Sequence, residues 1–126
     1  MTVAKHLLSI VVPAFNEQEV ITSFHQRLSA VIEQIPYAWE IVYVNDGSGD
    51  NTLELLKRLH TQDERVCVVD LSRNFGKEIA VTAGLDFCEA DATVVIDADL
   101  QDPPEQINRI VEKINQFANC FTVTAV

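Results

Sequence analysis

A chain of 126 residues, 48% apolar and 7% aromatic, fits one ordinary domain with a real core and is not a disordered segment. Its formal net charge of -10 at pH 7 repels polyanions and excludes nucleic acid as a main partner. An anionic small ligand would need a metal, backbone N–H groups or a few placed Lys and Arg. Cys67, Cys88 and Cys120 show no CxxC spacing and are odd in number, which points to a reducing compartment and to small buried hydrophobes. His6, His25 and His60 form no ligand cluster and read as surface or boundary residues. No stretch approaches a membrane span, and the run Leu7–Val12 is too short for a signal core. The expected location is cytoplasmic, or peripheral at the cytoplasmic membrane face.

Leu7–Val12 is a nearly continuous apolar run, the pattern of a strand buried on both faces, and Pro13 is expected to end it. Asn16, with Glu19 three residues on, predicts a capped helix start. Val20, Ile21, Phe24, Leu28, Val31, Ile32 and Ile35 then recur at helical spacing up to Pro36. Trp39–Val44 predicts a second strand, stopped by the turn-rich Asn45–Asn51. Leu53, Leu56 and Leu59 mark a second helix that Asn51 and Glu54 would cap. Val66–Leu71 reads as the third strand and Ser72–Lys77 as the third loop. Ile79–Cys88 is apolar nearly all round, as for a helix packed between layers. Thr93–Ile96 is the predicted fourth strand. Asp102-Pro103-Pro104-Glu105 predicts another helix start, with Ile107, Ile110, Val111 and Ile114 on one face. Cys120–Val126 alternates as the beginning of a fifth strand. Strands alternating with helices predict an α/β fold, three layers α/β/α around a mostly parallel sheet with right-handed crossovers.

Each predicted strand feeds a polar loop. In a parallel sheet the loops Pro13–Glu17, Asn45–Asn51, Ser72–Lys77 and Asp97–Asp102 share the carboxyl edge, where open α/β sheets hold ligands. The sharpest signal is Asp97-Ala98-Asp99. On the last pleat of a strand, residues i and i+2 point to the same side. Two carboxylates held together call for a cation or a proton between them. Mg²⁺ takes one or two carboxylates plus substrate phosphate oxygens, so the pair predicts a metal-assisted nucleotide or phosphate-ester site. The plain alternative is a solvated acidic loop. Asp46 is either an acceptor for a base N–H or a turn former before Gly47. Asn16 and Asp102 read as helix caps. Glu17 reads as a ribose or base contact, or as a first-turn acid complementing the helix dipole. Arg73 and Lys77, the only basic residues in the four loops, would meet a diphosphate or stand as solvated charge. Neither GxGxxG nor GxxxxGK[ST] is present, which disfavours a dinucleotide site and a P-loop.

Taken together, Val11–Glu17, Val44–Thr52, Arg73–Glu78 and Asp97–Glu105 resemble the family 2 inverting glycosyltransferases of the GT-A fold, in the same order and over nearly the whole chain. The last two pieces look most like the polyprenyl-phosphate branch, the bactoprenol glucosyltransferases and dolichol-phosphate mannosyltransferases. The resemblance implies the Rossmann-like nucleotide-binding half of a GT-A fold. It implies a metal-dependent, inverting transfer of a sugar, with glucose expected, from a UDP-linked donor to a polyprenyl phosphate or other acceptor. Pro13, Phe15 and Glu17 would line the nucleotide pocket, and Asp46 would bind the uracil. Asp97 and Ala98 would face the ribose and diphosphate, with Arg73 and Lys77 near the phosphates. Asp99, helped by Gln101, would hold Mg²⁺ or Mn²⁺.

Family members continue past the fourth strand with an acceptor-binding half and, in the polyprenyl branch, membrane helices. Residues 1–126 are therefore expected to form a single nucleotide-sugar-binding domain, truncated after the helix that follows the DxD pair, with catalytic residues unassigned. A lipid-phosphate acceptor would be a partner of the longer form, and an exposed parallel edge would invite homo-oligomers. Two rival readings stand beside this one. The first is a nucleotide-binding remnant without transfer activity. The second is a metal-dependent phosphatase with Asp97 as nucleophile, because Asp97-Ala98-Asp99 also resembles the nucleophile strand of haloacid-dehalogenase-type phosphatases. Those place Thr or Val where Gln101 stands.

Overall fold

Apolar runs with no polar face can be satisfied only between two layers, and the chain meets that demand with one parallel sheet. The computed structural model describes residues 7–34, 38–88, 92–98 and 122–124. Its elements in chain order are β1 (Leu7–Ala14), α1 (Ile21–Ile32), β2 (Ala38–Asn45), α2 (Thr52–Gln62), β3 (Val66–Asp70), α3 (Lys77–Phe87), β4 (Ala92–Val95) and β5 (Thr122–Thr124). The strands lie in the order β3-β2-β1-β4-β5, every described neighbour pair parallel. The predicted helix from Asp102 lies outside the described residues; the predicted fifth strand is present at Thr122–Thr124.

Topology dictates which helix covers which face. The first two crossovers step the same way, from β1 to β2 to β3, so right-handed connections put α1 and α2 on one side. The third steps back to β4 and puts α3 on the other. The packing agrees. Leu8, Ile10, Ile41, Tyr43 and Val94 pack with Phe24 and Leu28 of α1 and Leu56 of α2. The alternate residues Val11, Val42, Val44 and Val95 pack with Ala80 of α3.

Three expectations fail here for physical reasons. Pro13 does not end β1. Ile96 N donates to Val11 O (3.1 Å), so Val11 and, two residues on, Pro13 turn their backbone groups toward β4. β4 has ended at Val95, so nothing there needs the N–H that proline lacks. His25 is not a surface residue: it is buried, with Nδ1 2.7 Å from Tyr43 Oη and Nε2 3.3 Å from Ser29 Oγ. Burial pushes the Tyr43 phenol far above its ordinary range, so the hydroxyl stays protonated, and the two ring nitrogens divide donor and acceptor roles between Tyr43 Oη and Ser29 Oγ according to the tautomer. Finally, α3 is not packed all round. Ala80 and Gly84 are its buried residues, whereas Ile79 and Phe87 are more than half exposed. The helix lies so close to the sheet that a Cβ on Gly84 would come within 2.5 Å of Val11 Cγ1 and 3.0 Å of Val44 Cγ2. The cysteines are less enclosed than expected: Cys67 and Cys88 are half-buried, and Cys120 lies outside the described residues.

Two outcomes follow. Gly84→Val should lift α3 off β1 and β2 and cost about 2–3 kcal/mol in urea denaturation, an overpacking effect. Burial lowers the His25 pKa, with Asp63 opposing weakly. The unfolded chain therefore takes up a proton near its ordinary value that the folded chain refuses. The stability from neutral His25 is full above about pH 6.5 and falls as the pH drops below it. Unfolding free energies measured from about pH 7.5 to about pH 5 should decline along that course, and the decline should flatten in His25→Phe.

Candidate functional site

The first two loops at the carboxyl edge are laced together by side chains. Asn16 sits at φ 54, the left-handed region that asparagine enters more readily than most residues. Its N–H donates to Ser48 Oγ (3.0 Å), and its Oδ1 accepts from Gly49 N (2.8 Å). Glu17 N donates to Thr52 Oγ1 (2.9 Å), Gln18 N to Asp50 Oδ2 (3.4 Å) and Asn51 N to Gln18 Oε1 (3.0 Å). Asn16 is therefore not a helix cap. α1 starts five residues later, behind a turn in which Val20 N and Ile21 N both donate to Glu17 O. Nor does the Asn51 side chain cap α2; Asp50 Oδ1 takes the Thr52 N–H (2.9 Å) and the Thr52 hydroxyl (2.5 Å). Partial burial pushes the Asp50 carboxyl up, but these hydrogen bonds outweigh it and hold its pKa below the usual range.

Asp46 joins the second loop to the third. It is 4% exposed, and its N–H donates to Ala14 O (2.9 Å). Oδ1 accepts from Phe75 N (2.8 Å); Oδ2 accepts from Gly76 N (3.1 Å) and Asn74 Nδ2 (3.3 Å), the same amide that reaches Asp46 O (3.0 Å). Gly47 permits this closeness. It has φ 69, and a Cβ there would lie 2.2 Å from Asn74 N.

The result is a cleft of ≈ 210 Å³ lined by Pro13, Ala14, Phe15, Glu17, Asp46, Lys77, Asp97 and Ala98. Residues from all four loops meet in it. Lys77 Nζ lies 2.7 Å from Asp97 Oδ2 across the cleft. Pro13, Ala14 and the exposed Phe15 ring offer an apolar platform suited to a flat ring. Among the described lining residues, three carboxylates face one ammonium. A dense anion would meet net negative charge here, and among the described residues no group of three or more His, Cys, Asp or Glu is placed to hold a metal ion. The Lys77 ammonium on Asp97 marks that carboxylate as a place where positive charge is held.

Of the residues the sequence pointed to, Pro13, Phe15, Glu17, Asp46, Lys77, Asp97 and Ala98 come together in this cleft. Arg73 does not line it; its guanidinium lies over the Phe75 ring, 4.3 Å from the centroid. Asp99 and Gln101 lie outside the described residues. Asp97 is not on a strand pleat: β4 ends at Val95, and Asp97 stands in the loop beyond it. Sequence reasoning missed Ala14, Asn74 and Asp50. The one available signal was their position inside loops already suspected.

The family model for glycosyl transferase family 2 matches residues 9–126. The chain is 51% identical over 105 residues to the uncharacterized glycosyltransferase YkcC of Bacillus subtilis, covering 83% of this chain and 32% of that protein. It is 47% identical over 106 residues to the bactoprenol glucosyl transferase of Shigella phage SfX, covering 84% and 35%. The chain thus spans about a third of the length of these curated relatives. Among solved structures, the fold is similar to the Pyrobaculum calidifontis mannosyltransferase PcManGT in complex with GDP-Man and Mn²⁺ (TM-score 0.72, 21% identity, 88% of this chain and 33% of that one). It is also similar to S. aureus TarS in complex with UDP-GlcNAc (TM-score 0.69, 23% identity, 86% and 31%). These likenesses show a GT-A-like α/β fold.

Asp46→Ala should strip the Phe75 and Gly76 N–H groups of their acceptor, leave Asn74 Nδ2 with Asp46 O alone, and cost about 2–3 kcal/mol in urea denaturation. The amide resonances of Phe75 and Gly76 should shift, while those of α1 stay in place.

Proposed function

The chain belongs to glycosyl transferase family 2, and on that premise we propose that it is the nucleotide-binding part of an inverting transferase that moves a sugar from a nucleotide sugar to a lipid phosphate. The observation that carries this reading is the cleft at the carboxyl edge of the sheet, where an apolar platform, a lysine and carboxylates from four loops converge. The base lies against Pro13 and Phe15, with Glu17 at the ribose or base edge. Asp46 accepts from a base N–H with the acceptor capacity its loop contacts leave. Uracil carries such an N–H. Lys77 meets the diphosphate, and Asp97 and Ala98 flank the ribose–diphosphate region. Arg73 joins the phosphates only by leaving the Phe75 ring. Asp99 with Gln101, two and four residues beyond Asp97, would hold Mg²⁺ or Mn²⁺, which would supply a Lewis acid for charge on a departing diphosphate.

UDP is the proposed nucleotide, supported by the likeness to a fold that holds UDP-GlcNAc. Glucose as the sugar and a polyprenyl phosphate as the acceptor are supported by the phage relative's name and its 47% identity. Among the described residues no helix is long and apolar enough to cross a membrane. A lipid-phosphate acceptor would put the reaction at a membrane surface. The acceptor phosphate is already ionised at neutral pH, so this part of the chain is not asked for a general base.

Calorimetric titration of UDP into the chain, with Mn²⁺ and then with EDTA, is the direct test. Binding should appear with the metal and weaken at least tenfold in EDTA or in Asp99→Ala. A folded sample that ignores UDP under both conditions would overturn the reading.

A further inference from the structure

We propose that Asn74 is a positioning residue that leaves Asp46 one open acceptor site, and so selects a base with a single N–H on its edge, such as uracil, over one with two side by side, such as guanine. This rests on the reading of the cleft as a nucleotide site and deepens it. The fold leaves the base open, since similar folds are found in complex with UDP-GlcNAc and with GDP-Man. The choice has to come from side chains.

A carboxylate has about four acceptor sites, two on each oxygen. At Asp46, Oδ1 takes the Phe75 N–H at 2.8 Å. Oδ2 takes the Gly76 N–H at 3.1 Å and Asn74 Nδ2 at 3.3 Å. Oδ2 is therefore full, and Oδ1 keeps one site. The Asn74 amide turns its NH₂ this way because both oxygens near it, Asp46 O at 3.0 Å and Asp46 Oδ2, are acceptors. Its backbone is held as well: a Cβ on Gly47 would lie 2.2 Å from Asn74 N. Phe75 and Gly76 donate from the backbone, whatever side chains stand there. Asn74 donates from a side chain, so it is the donor that a change of sequence can add or remove.

Asp46 is 4% exposed and lines the cleft beside Pro13, Ala14 and Phe15. A base resting on that apolar platform brings its edge to a carboxylate with little water nearby to replace a missing contact. Uracil offers one N–H, between two carbonyls, and Oδ1 has one site for it. Guanine offers N1–H and a 2-amino N–H side by side, a pair that asks for both oxygens of one carboxylate. With Oδ2 full, the second N–H enters the site without an acceptor, and a buried unpaired donor lowers affinity. Asn74 thus acts against the wrong base more than for the right one.

The test compares UDP, GDP and inosine diphosphate by calorimetry at one Mn²⁺ concentration, in the full chain and in Asn74→Ala. Inosine diphosphate keeps the purine ring and N1–H of GDP and lacks the 2-amino group, so it separates donor count from ring size. The parent should bind it about five- to thirtyfold tighter than GDP. In Asn74→Ala the difference should shrink to about twofold or less, through a gain for GDP. Asn74 is exposed, so its truncation opens no core cavity. A merely structural role would weaken all three nucleotides in step; unchanged ratios in the variant overturn the assignment to Asn74. The comparison within the parent stands without the variant. GDP binding as tight as that of inosine diphosphate, or rejection of both purines alike, overturns the proposal while UDP binding stands. A parent chain that does not bind UDP with Mn²⁺ overturns the reading beneath it.

Discussion

A buried carboxylate has to be solvated by the protein itself, and that demand at Asp46 organises the carboxyl edge of the sheet. Its donors are N–H groups 28 to 30 residues further on. Satisfying them fixes the path of the chain between β3 and α3. Gly47 lets that path come close, and Gly76, at φ 102, turns it into the helix. Lys77 then opens α3 within reach of Asp97. The lysine that faces the cleft is therefore placed by a folding requirement, and the cleft's charge pattern follows from hydrogen bonding in the layer beneath it.

The two faces of the sheet serve this edge differently. On one face, two helices and large side chains such as Phe24, Leu28 and Tyr43 form the main core. On the other, α3 comes close to β1 and β2 through Ala80 and Gly84, with valines as its chief partners. Small residues there allow a near approach. The first layer supplies the main body of the core; the second backs the helix that Lys77 opens.

Much of this was legible in the sequence because it depends on local pattern and simple topology. Apolar runs became strands. Parallel order then brought the residues after each strand, Pro13 to Glu17, Asp46, Lys77 and Asp97, to one edge. What was not legible depends on partners far away in the chain. Pro13 reads as a terminator unless one knows that β4 is shorter than β1. Asn16 has the composition of a cap, but Ser48 and Gly49 pull it into a left-handed turn. His25 reads as a polar residue on a helix until Tyr43, 18 residues on, supplies a buried hydrogen-bond partner. Asp97 and Asp99 suggest one strand pleat, yet β4 stops at Val95, before Asp97. Asp97 reaches the cleft from a loop instead.

Loops are where proteins usually gain and lose residues. Residues 16–18 and 48–52 lack that freedom. Each of the five hydrogen bonds between them joins a side chain of one loop to a backbone N–H of the other, at offsets of 32 to 35 residues. Inserting or deleting one residue in either loop would put the whole set out of step at once. Every bond also needs a side-chain oxygen, supplied by Asn16, Gln18, Ser48, Asp50 or Thr52, so descendants of this scaffold are held here in length and in residue type alike. The lacing makes this corner of the cleft conservative in shape and in chemistry, and leaves diversification to other parts of the chain.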